Sequence, residues 1–152
     1  MPEPVITTAR TARHGLPYLF PAQAQKEAFV NEAFARLDAL LQPAVIDERA
    51  APPASPAAGD CYLVAAAPSG AWSGHAGAVA VWAESQWLFA PPHEGMQVFE
   101  LASGGMARFS VDEGWQRAAA PAAPAGGTIQ DAEARAAIAA IVANLQVLGI
   151  FA

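Results

Sequence analysis

The chain has 152 residues and a net charge of −6, and 54% of its residues are hydrophobic. This length fits one domain with or without tails. The negative charge argues against a general nucleic-acid-binding protein, because phosphate contacts require a basic surface. A single cysteine, Cys61, excludes an internal disulfide. No apolar run reaches the roughly 18 residues of a membrane span, and the N-terminus lacks the pattern of a signal peptide, so we expect a soluble protein made in the cytoplasm.

The order of the predicted elements indicates an α+β fold. By composition the chain divides into an extended N-terminal arm (1–20), a helical attachment segment (21–50), a small antiparallel β domain (51–117), a linker rich in Pro, Ala and Gly (118–127) and a C-terminal oligomerisation helix (128–152). Oligomerisation is assigned to the last segment because its apolar residues repeat at the spacing of a coiled coil.

The N-terminal amphipathic helix is predicted over residues 21–42, with Pro21 at its first position and Pro43 ending it. Its apolar side chains share one arc of the helix, and Lys26 projects into that arc. A buried ammonium group is costly, so Lys26 must extend to solvent or meet a hydrogen-bond acceptor. The arc consists of Ala22, Phe29, Val30, Ala33, Phe34, Leu37, Leu40 and Leu41.

Alanines form a smooth strip on the other side of the same helix, made of Ala24, Ala28, Ala35 and Ala39. A strip of small side chains permits the close approach of a second backbone. Alanine is also simply a good helix former, and the residue pattern leaves both interpretations open.

Six short runs rich in aromatic and β-branched residues predict strands in the middle of the chain. They lie at 61–66, 78–83, 86–90, 96–102, 106–111 and 115–118. Turn-forming sequences such as PPHEG and SGG separate them. The simplest arrangement is a small antiparallel meander of five or six short strands.

The C-terminal helix is predicted to begin with Thr128 as its N-cap and Asp131 three residues later, a weak capping box, and to end at Gly149. Apolar residues inside it repeat every 3.5 residues on average, which is the period of a coiled coil. A helix docked on its own domain shows nearly the same pattern, but the preceding linker favours self-association between chains. The repeating residues are Ala134, Ile138, Ile141, Leu145 and Leu148.

No residue pattern points to catalysis. His14, His75 and His93 each stand beside Gly or Pro in a predicted loop, without a carboxylate or cysteine at metal-ligand spacing. Cys61 has no neighbouring group that would activate its thiol. We therefore predict no catalytic residue, no metal site and no cofactor, and we do not expect an enzyme. A hydrolase of cell-wall polymer is disfavoured because no base and nucleophile are paired.

Four tryptophans cluster in the β region, at positions 72, 82, 87 and 115. They can fill the core of a small sheet protein, or an exposed one can stack against a sugar. Trp72 lies in a glycine-rich loop with His75, and these two residues are the candidates for glycan contact. A carbohydrate-binding module that contacts host-surface polysaccharide is therefore the alternative function.

Several motifs together resemble the DUF2793 family over about residues 14–117. The pattern LPxxxPxQAQK is followed by NEA and LDAL, and then by PPxxPxxGDxYLV and GAWxGHAG. The tyrosine–aspartate–glycine turn usual before the last Trp is present only as FSVDEGW, so this hairpin departs from the family pattern. The residues of the first three motifs are Leu16, Pro17, Pro21, Gln23, Ala24, Gln25, Lys26, Asn31, Glu32, Ala33, Leu37, Asp38, Ala39 and Leu40.

The family occurs with phage and prophage structural genes and with gene transfer agents, so the resemblance implies a virion structural component. We expect an oligomeric spike base or fibre-attachment adaptor of a phage-like particle, assembled in the bacterial cytoplasm. Its implied partners are further copies of itself, as trimer or pentamer, and other capsid, spike or tail proteins. The closing segment DAEARAAIAAIVANLQVLGIF also resembles terminal helices of phage fibre and tail proteins. The predicted interface residues are Lys26, Phe29, Asn31, Phe34, Leu37, Ile138, Ile141, Leu145 and Leu148.

Overall fold

A computed structural model describes residues 9–19 and 26–150 of the chain. The chain forms two compact units, Met1–Pro92 and His93–Ala152. The described residues contain two α-helices, a short 3-10 helix and eight short strands. The predicted α+β class is thereby confirmed.

The first unit contains a folded arm and the first helix. In the arm, the Thr11 amide donates to the Leu16 carbonyl and the Tyr18 amide donates to the Ala9 carbonyl, so residues 9–19 form a closed turn and not an extended strand. Helix α1 spans Lys26–Leu40 and ends shortly before Pro43, as predicted. The predicted helix start at Pro21 and the first part of the predicted arm lie outside the described residues.

A mixed four-stranded sheet follows α1 in the first unit. Its strand order is β2-β3-β4-β5, with β2 and β3 parallel and the other neighbours antiparallel. Strands β3, β4 and β5 confirm three predicted strands, whereas β1 and β2 have two residues each and were not predicted, because so short a segment shows no periodicity. The bounds are β1 Ala44–Val45, β2 Glu48–Arg49, β3 Cys61–Val64, β4 Val79–Ala83 and β5 Gln86–Ala90.

A two-residue turn joins β4 to β5. Glu84 and Ser85 both have positive φ, at 49° and 62°, which is the geometry of the turns whose twist matches an antiparallel hairpin. This turn sets the register that places Trp82 directly opposite Trp87, with 5.0 Å between their ring centroids. The turn therefore positions one side of an aromatic cluster.

The second unit contains β6 (Gln97–Glu100), β7 (Gly105–Ser110) and β8 (Gly114–Arg117), which pair in that order as an antiparallel meander. These strands confirm the other three predicted runs. The six predicted strands do not belong to one unit, however. Pro91 and Pro92 stand between β5 and the second unit, and proline lacks the N–H that would continue a strand ladder.

Helix α2 spans Ala132–Val147. Asp131 is its N-cap and accepts a hydrogen bond from the Ala134 amide at 2.8 Å. The prediction that Thr128 caps the helix was wrong, because the helix begins one turn later and only Asp131 lies at the right offset from its first amides. The predicted end is confirmed. Gly149 has φ +69°, its amide donates to the Gln146 carbonyl, and the Ile150 amide donates to the Leu145 carbonyl, which together form a Schellman motif.

Candidate interaction surfaces

The small side chains of α1, and not the large ones, face the interior of the first unit. Ala35 and Ala39 are 3% and 2% exposed, whereas Phe29 is 81% exposed and Leu37 is 47% exposed. The Arg36 guanidinium donates to the Phe89 carbonyl at 2.8 Å and so ties the helix to β5. Ala35 and Ala39 of the alanine strip therefore pack against the same chain, whereas Phe29 and Leu37 of the apolar arc remain on the surface.

A buried carboxylate, Asp38, holds the N-terminal arm against α1. Asp38 is 4% exposed and accepts hydrogen bonds from the Thr11 hydroxyl at 2.6 Å, the Arg13 amide at 2.8 Å and the His14 amide at 2.6 Å. Three donors satisfy a carboxylate that would otherwise be costly to bury. We call these four residues the arm lock.

The arm also covers the C-terminal end of α1. The Arg13 guanidinium donates to the carbonyls of Ala39 and Gln42 at 2.9 and 3.2 Å, and a ring nitrogen of His14 lies 3.0 Å from the Leu41 carbonyl. The last carbonyls of a helix have no partner within the helix and carry its negative dipole end. A cationic arm side chain therefore caps the helix from outside.

The electrostatics of the arm lock follow from these contacts. Burial alone opposes ionisation of Asp38, but the hydrogen bonds from Thr11, Arg13 and His14 outweigh it and lower the pKa of the carboxyl below its ordinary value. Apart from the LDAL motif, no local pattern could predict this arrangement, because the three donors lie more than twenty residues away from Asp38 in the chain.

Two predicted interface residues of α1 have different surroundings. The side-chain amide of Asn31 is paired within the chain, since its oxygen accepts from the Leu19 amide at 2.8 Å and its nitrogen donates to the Leu19 carbonyl at 3.2 Å. Asn31 thus ties the arm to α1, and its predicted contact with a partner stays a prediction. Lys26 is exposed, which satisfies the expectation that its ammonium group reaches solvent.

Trp72 lies in the core of the first unit. It is 0% exposed, and its ring packs edge-on against Trp87 and at a tilt against Tyr62, with centroid distances of 5.0 and 5.8 Å. Of the two alternatives for Trp72, the core position is confirmed and the exposed stacking platform is wrong. The glycine-rich loop turns inward as a 3-10 helix over Gly70–Trp72, and it delivers the indole to a sheet that has few large aliphatic residues.

The second candidate for glycan contact, His75, is on the surface. Its ring stacks on Phe89, with 3.7 Å between centroids and 3° between planes. His75 is exposed and Phe89 is half-buried. Because Trp72 is not on the surface, His75 is the remaining member of the predicted pair of glycan contacts.

Helix α2 presents a row of large apolar side chains to solvent, and none of its residues is buried. Ile138 is 44% exposed, Ile141 is 58% exposed and Leu148 is 70% exposed, while Leu145 is half-buried. We call these four residues the α2 seam. The C-terminal end of α2 is held to strand β7 of the second unit, because the Met106 amide donates to the Gly149 carbonyl at 2.7 Å.

Two acidic residues of the second unit, Glu94 and Glu100, pair with arginines. Glu100, 6% exposed, accepts two hydrogen bonds from Arg117, each at 2.8 Å, and one from the Ser103 hydroxyl. The hydrogen bonds from Arg117 have the largest effect on the pKa of the Glu100 carboxyl and lower it. Burial raises this pKa and the bond from Ser103 lowers it, so the pKa lies below its ordinary value. Glu94 bonds Arg108 and the Val111 amide. The arrangement fixes strands to one another.

The groups that could support chemistry are dispersed. Among residues 9–19 and 26–150, no three His, Cys, Asp or Glu side chains are arranged to hold a metal ion. His14 lies in the arm lock, and His75 and His93 are exposed in loops. Burial raises the pKa of the Cys61 thiol to about 11, so the reactive thiolate is scarce at neutral pH.

Comparison with known proteins gives one family assignment. A family model described as "Protein of unknown function (DUF2793)" matches residues 30–116, more than half of the chain. The chain belongs to the DUF2793 family. No curated protein and no solved structure matches it.

The DUF2793 match covers most of α1 and the strands of both units, from β1 to β8. The arm residues that hold Asp38 and the α2 seam lie outside the matched region. Within the DUF2793 protein, neither described helix is long and apolar enough to cross a membrane.

Proposed function

We propose that this DUF2793 protein is an oligomeric structural component of a phage-like particle, a spike base or fibre-attachment adaptor, and that it has no catalytic activity. The observation that carries the proposal is the exposed apolar surface on both helices. Phe29 at 81% exposed and Leu148 at 70% exposed are large side chains of the kind that interfaces between subunits bury. The resemblance of the sequence to proteins found with phage structural genes supports the same conclusion.

The first attachment surface is the apolar arc of α1. The helix is already fixed on its other side by the arm lock and by the bond from Arg36 to Phe89. A rigid helix that offers an apolar face loses little conformational entropy when a partner covers it. Exposed Lys26 stands near the start of this arc, where it can pair with a carboxylate or carbonyl of a neighbouring subunit and fix the register.

Carbohydrate recognition is the weaker candidate. It depended on an aromatic side chain open to solvent, and Trp72 is buried at 0% exposure. Substitution of Trp72 would remove a core residue, so the glycan test belongs to His75. Loss of glycan-array binding in His75→Ala, with unfolding unchanged, would revive this function.

Particle incorporation tests the proposal directly. Phage-like particles are purified from the strain that encodes this chain, and the chain is sought in them by mass spectrometry and located by immunogold electron microscopy. The proposal expects the chain at a fixed copy number per particle. Its absence from intact particles overturns the proposal.

A matched pair of variants tests the α1 surface. Leu37→Asp places a charge on the apolar arc, where Leu37 is 47% exposed, and Leu101→Asp places the same charge at a turn residue that is 58% exposed. Both variants should fold, because neither side chain is in a core. We expect incorporation to fall at least tenfold for Leu37→Asp and to stay unchanged for Leu101→Asp. Lys26→Met with unchanged assembly would contradict the role of Lys26.

A further inference from the structure

We infer that α2 joins three copies of this chain in a parallel helical bundle, through the α2 seam. This inference rests on the proposed function and names the partner and the element that perform the assembly. Its starting point is the combination of spacing and exposure. Ile138, Ile141, Leu145 and Leu148 follow one another at intervals of 3, 4 and 3 residues, and no residue of α2 is buried by its own chain.

The chain occupies a different face of α2. Arg135 donates to the carbonyls of Pro124 and Gly126, and this places residues 121–124 beside α2. A cleft of about 180 Å³ lies between them and the helix, lined on the helix side by Ile138, Ala139, Val142, Ala143 and Gln146. Ile138 therefore borders the linker at one edge of the seam. Ile141, Leu145 and Leu148 do not line this cleft, so the linker leaves these three seam residues open.

The charge pattern of α2 favours a second copy over a different partner. No residue from 136 to 150 is charged. A charged partner finds nothing on the seam to pair with, and buried charges without partners are costly. An identical neutral helix meets no like-charge repulsion there, although the chain as a whole carries −6. The seams of two copies can therefore pack against each other without burying a charge.

The order of Ile and Leu favours more than two chains. In the heptad that fits the spacing, Ile138 and Leu145 take position a, and Ile141 and Leu148 take position d. Ile at a with Leu at d suits two strands, whereas Ile at both positions, or Leu at a with Ile at d, suits three or four. Ile138 with Ile141 has the second pattern, and so does Leu145 with the preceding Ile141, whereas Leu145 with Leu148 fits neither pattern. Identical chains in a closed three-fold bundle must run parallel.

The buried area points in the same direction. A helix of 16 residues is about 24 Å long and roughly 10 Å wide, so one neighbour covers on the order of 250 Å² of it. A standard stable interface needs about 800 Å² per partner. In a bundle of three, each helix meets two neighbours and buries twice as much as in a pair. The bundle is therefore concentration-dependent, and a second contact such as the α1 arc strengthens it.

Sedimentation equilibrium of the full-length chain over a range of concentrations tests the inference. We expect the wild-type mass to rise to that of three chains. Ile141→Asp should remain a single chain, and the adjacent, exposed Ala140→Asp should behave as wild type, because it adds the same charge away from the seam. Circular dichroism before sedimentation confirms that each variant retains its helices. A wild-type chain that stays monomeric, or an Ile141→Asp chain that still forms trimers, overturns the bundle.

A conservative exchange tests the register. The double variant Ile141→Leu, Leu145→Ile keeps the side-chain volumes but places Ile at both a positions and Leu at both d positions. We expect its mass to shift from three chains to two. An unchanged trimer overturns the assigned heptad positions.

The bundle and the particle role fail separately. A monomeric chain that is still incorporated into particles overturns the bundle and leaves the proposed function standing. A trimeric chain that is absent from particles overturns the proposed function and leaves the bundle standing.

Discussion

Asp38 shows how one residue decides which face of α1 is buried. A carboxylate that is 4% exposed needs donors on all sides, and the arm provides them from Thr11, Arg13 and His14. The arm reaches the carboxylate because Ala35 and Ala39 beside it leave room for a backbone. Ala35 and Ala39 of the alanine strip thus permit a close approach, as one of the two interpretations held, but the segment that approaches belongs to the same chain.

Replacing the buried carboxylate should destabilise the first unit. In Asp38→Asn one oxygen becomes a nitrogen that faces donors, so we expect the free energy of unfolding to fall by about 2 kcal/mol. Glu32→Gln is the control, since it removes an exposed ion pair with Arg36 on the same helix that is worth at most about 0.5 kcal/mol. Chemical denaturation measures both. Equal effects from the two variants would contradict the arm lock.

The same carboxylate makes stability depend on pH. The pKa of Asp38 is lowered in the folded state. The ionised carboxylate therefore adds its full contribution to the free energy of unfolding above the unfolded-state pKa of about 3.9. This contribution is lost as the pH falls through the folded-state pKa. The difference in unfolding free energy between wild type and Asp38→Asn should therefore be constant near neutral pH and shrink below about pH 3.9. Denaturation series at stepwise lower pH measure it. A difference that grows with acidification would contradict the assignment.

Sequence reasoning at this scale found the residues but not their roles. The NEA and LDAL motifs include Asn31 and Asp38, and both prove to bind the arm. Their donors are distant in sequence, so no local pattern could pair them. The burial of Trp72 could not be predicted for a related reason. A glycine-rich loop is expected to be exposed, and only the structure shows that the 3-10 helix in this loop turns inward.

At the scale of elements, α1 and α2 were predicted from periodicity, and their ends from capping residues. The buried face of α1 could not be predicted in this way, because periodicity assumes that large side chains face the core. Here the sheet fills its own core with aromatic residues, and the helix contributes alanines to the contact. Its large side chains, such as Phe29, remain exposed.

The C-terminal end of α2 depends on one glycine. A Cβ at position 149 would lie 2.7 Å from a ring carbon of Phe99, whereas one at Gly104 meets nothing within 4 Å, and both glycines have positive φ near 70°. We expect Gly104→Ala to cost about 1 kcal/mol of stability from backbone strain alone, and Gly149→Ala about 3 kcal/mol because overpacking is added. Thermal unfolding compares the two. Equal losses would contradict the packing of Gly149 on Phe99.

The N-terminal end of α2 gives a test of the corrected cap. Asp131→Ala removes the side chain that accepts from the Ala134 amide and should lower stability by about 1 kcal/mol. Thr128→Ala should change it by less than about 0.5 kcal/mol, as a surface substitution does. Helix content by circular dichroism and the thermal midpoint report both effects. A larger loss from Thr128→Ala would restore the predicted cap.

At the scale of the whole molecule, the sequence predicted six of the eight strands and both described helices, but not the division into two units. Strand runs are local patterns, whereas the choice of neighbours in a sheet depends on contacts between distant segments. Two features depend on such distant contacts and were not predicted. They are the parallel pairing of β2 with β3 and the break between the two units at Pro91 and Pro92. The proposed particle role rests on surfaces that only the folded chain displays.

Net charge and the neutral α2 seam together predict how salt acts on assembly. Each chain carries −6, so copies repel one another at low ionic strength. No residue from 136 to 150 is charged, so the α2 seam contributes no ion pair that salt could weaken. Screening over the Debye length, about 8 Å at physiological ionic strength, should therefore strengthen association as salt rises. Sedimentation equilibrium at low and high salt measures it. Ile141→Asp should stay a single chain at every salt concentration, which separates bundle formation from salting-out, and dissociation of the wild type by salt would show that ion pairs hold the copies together.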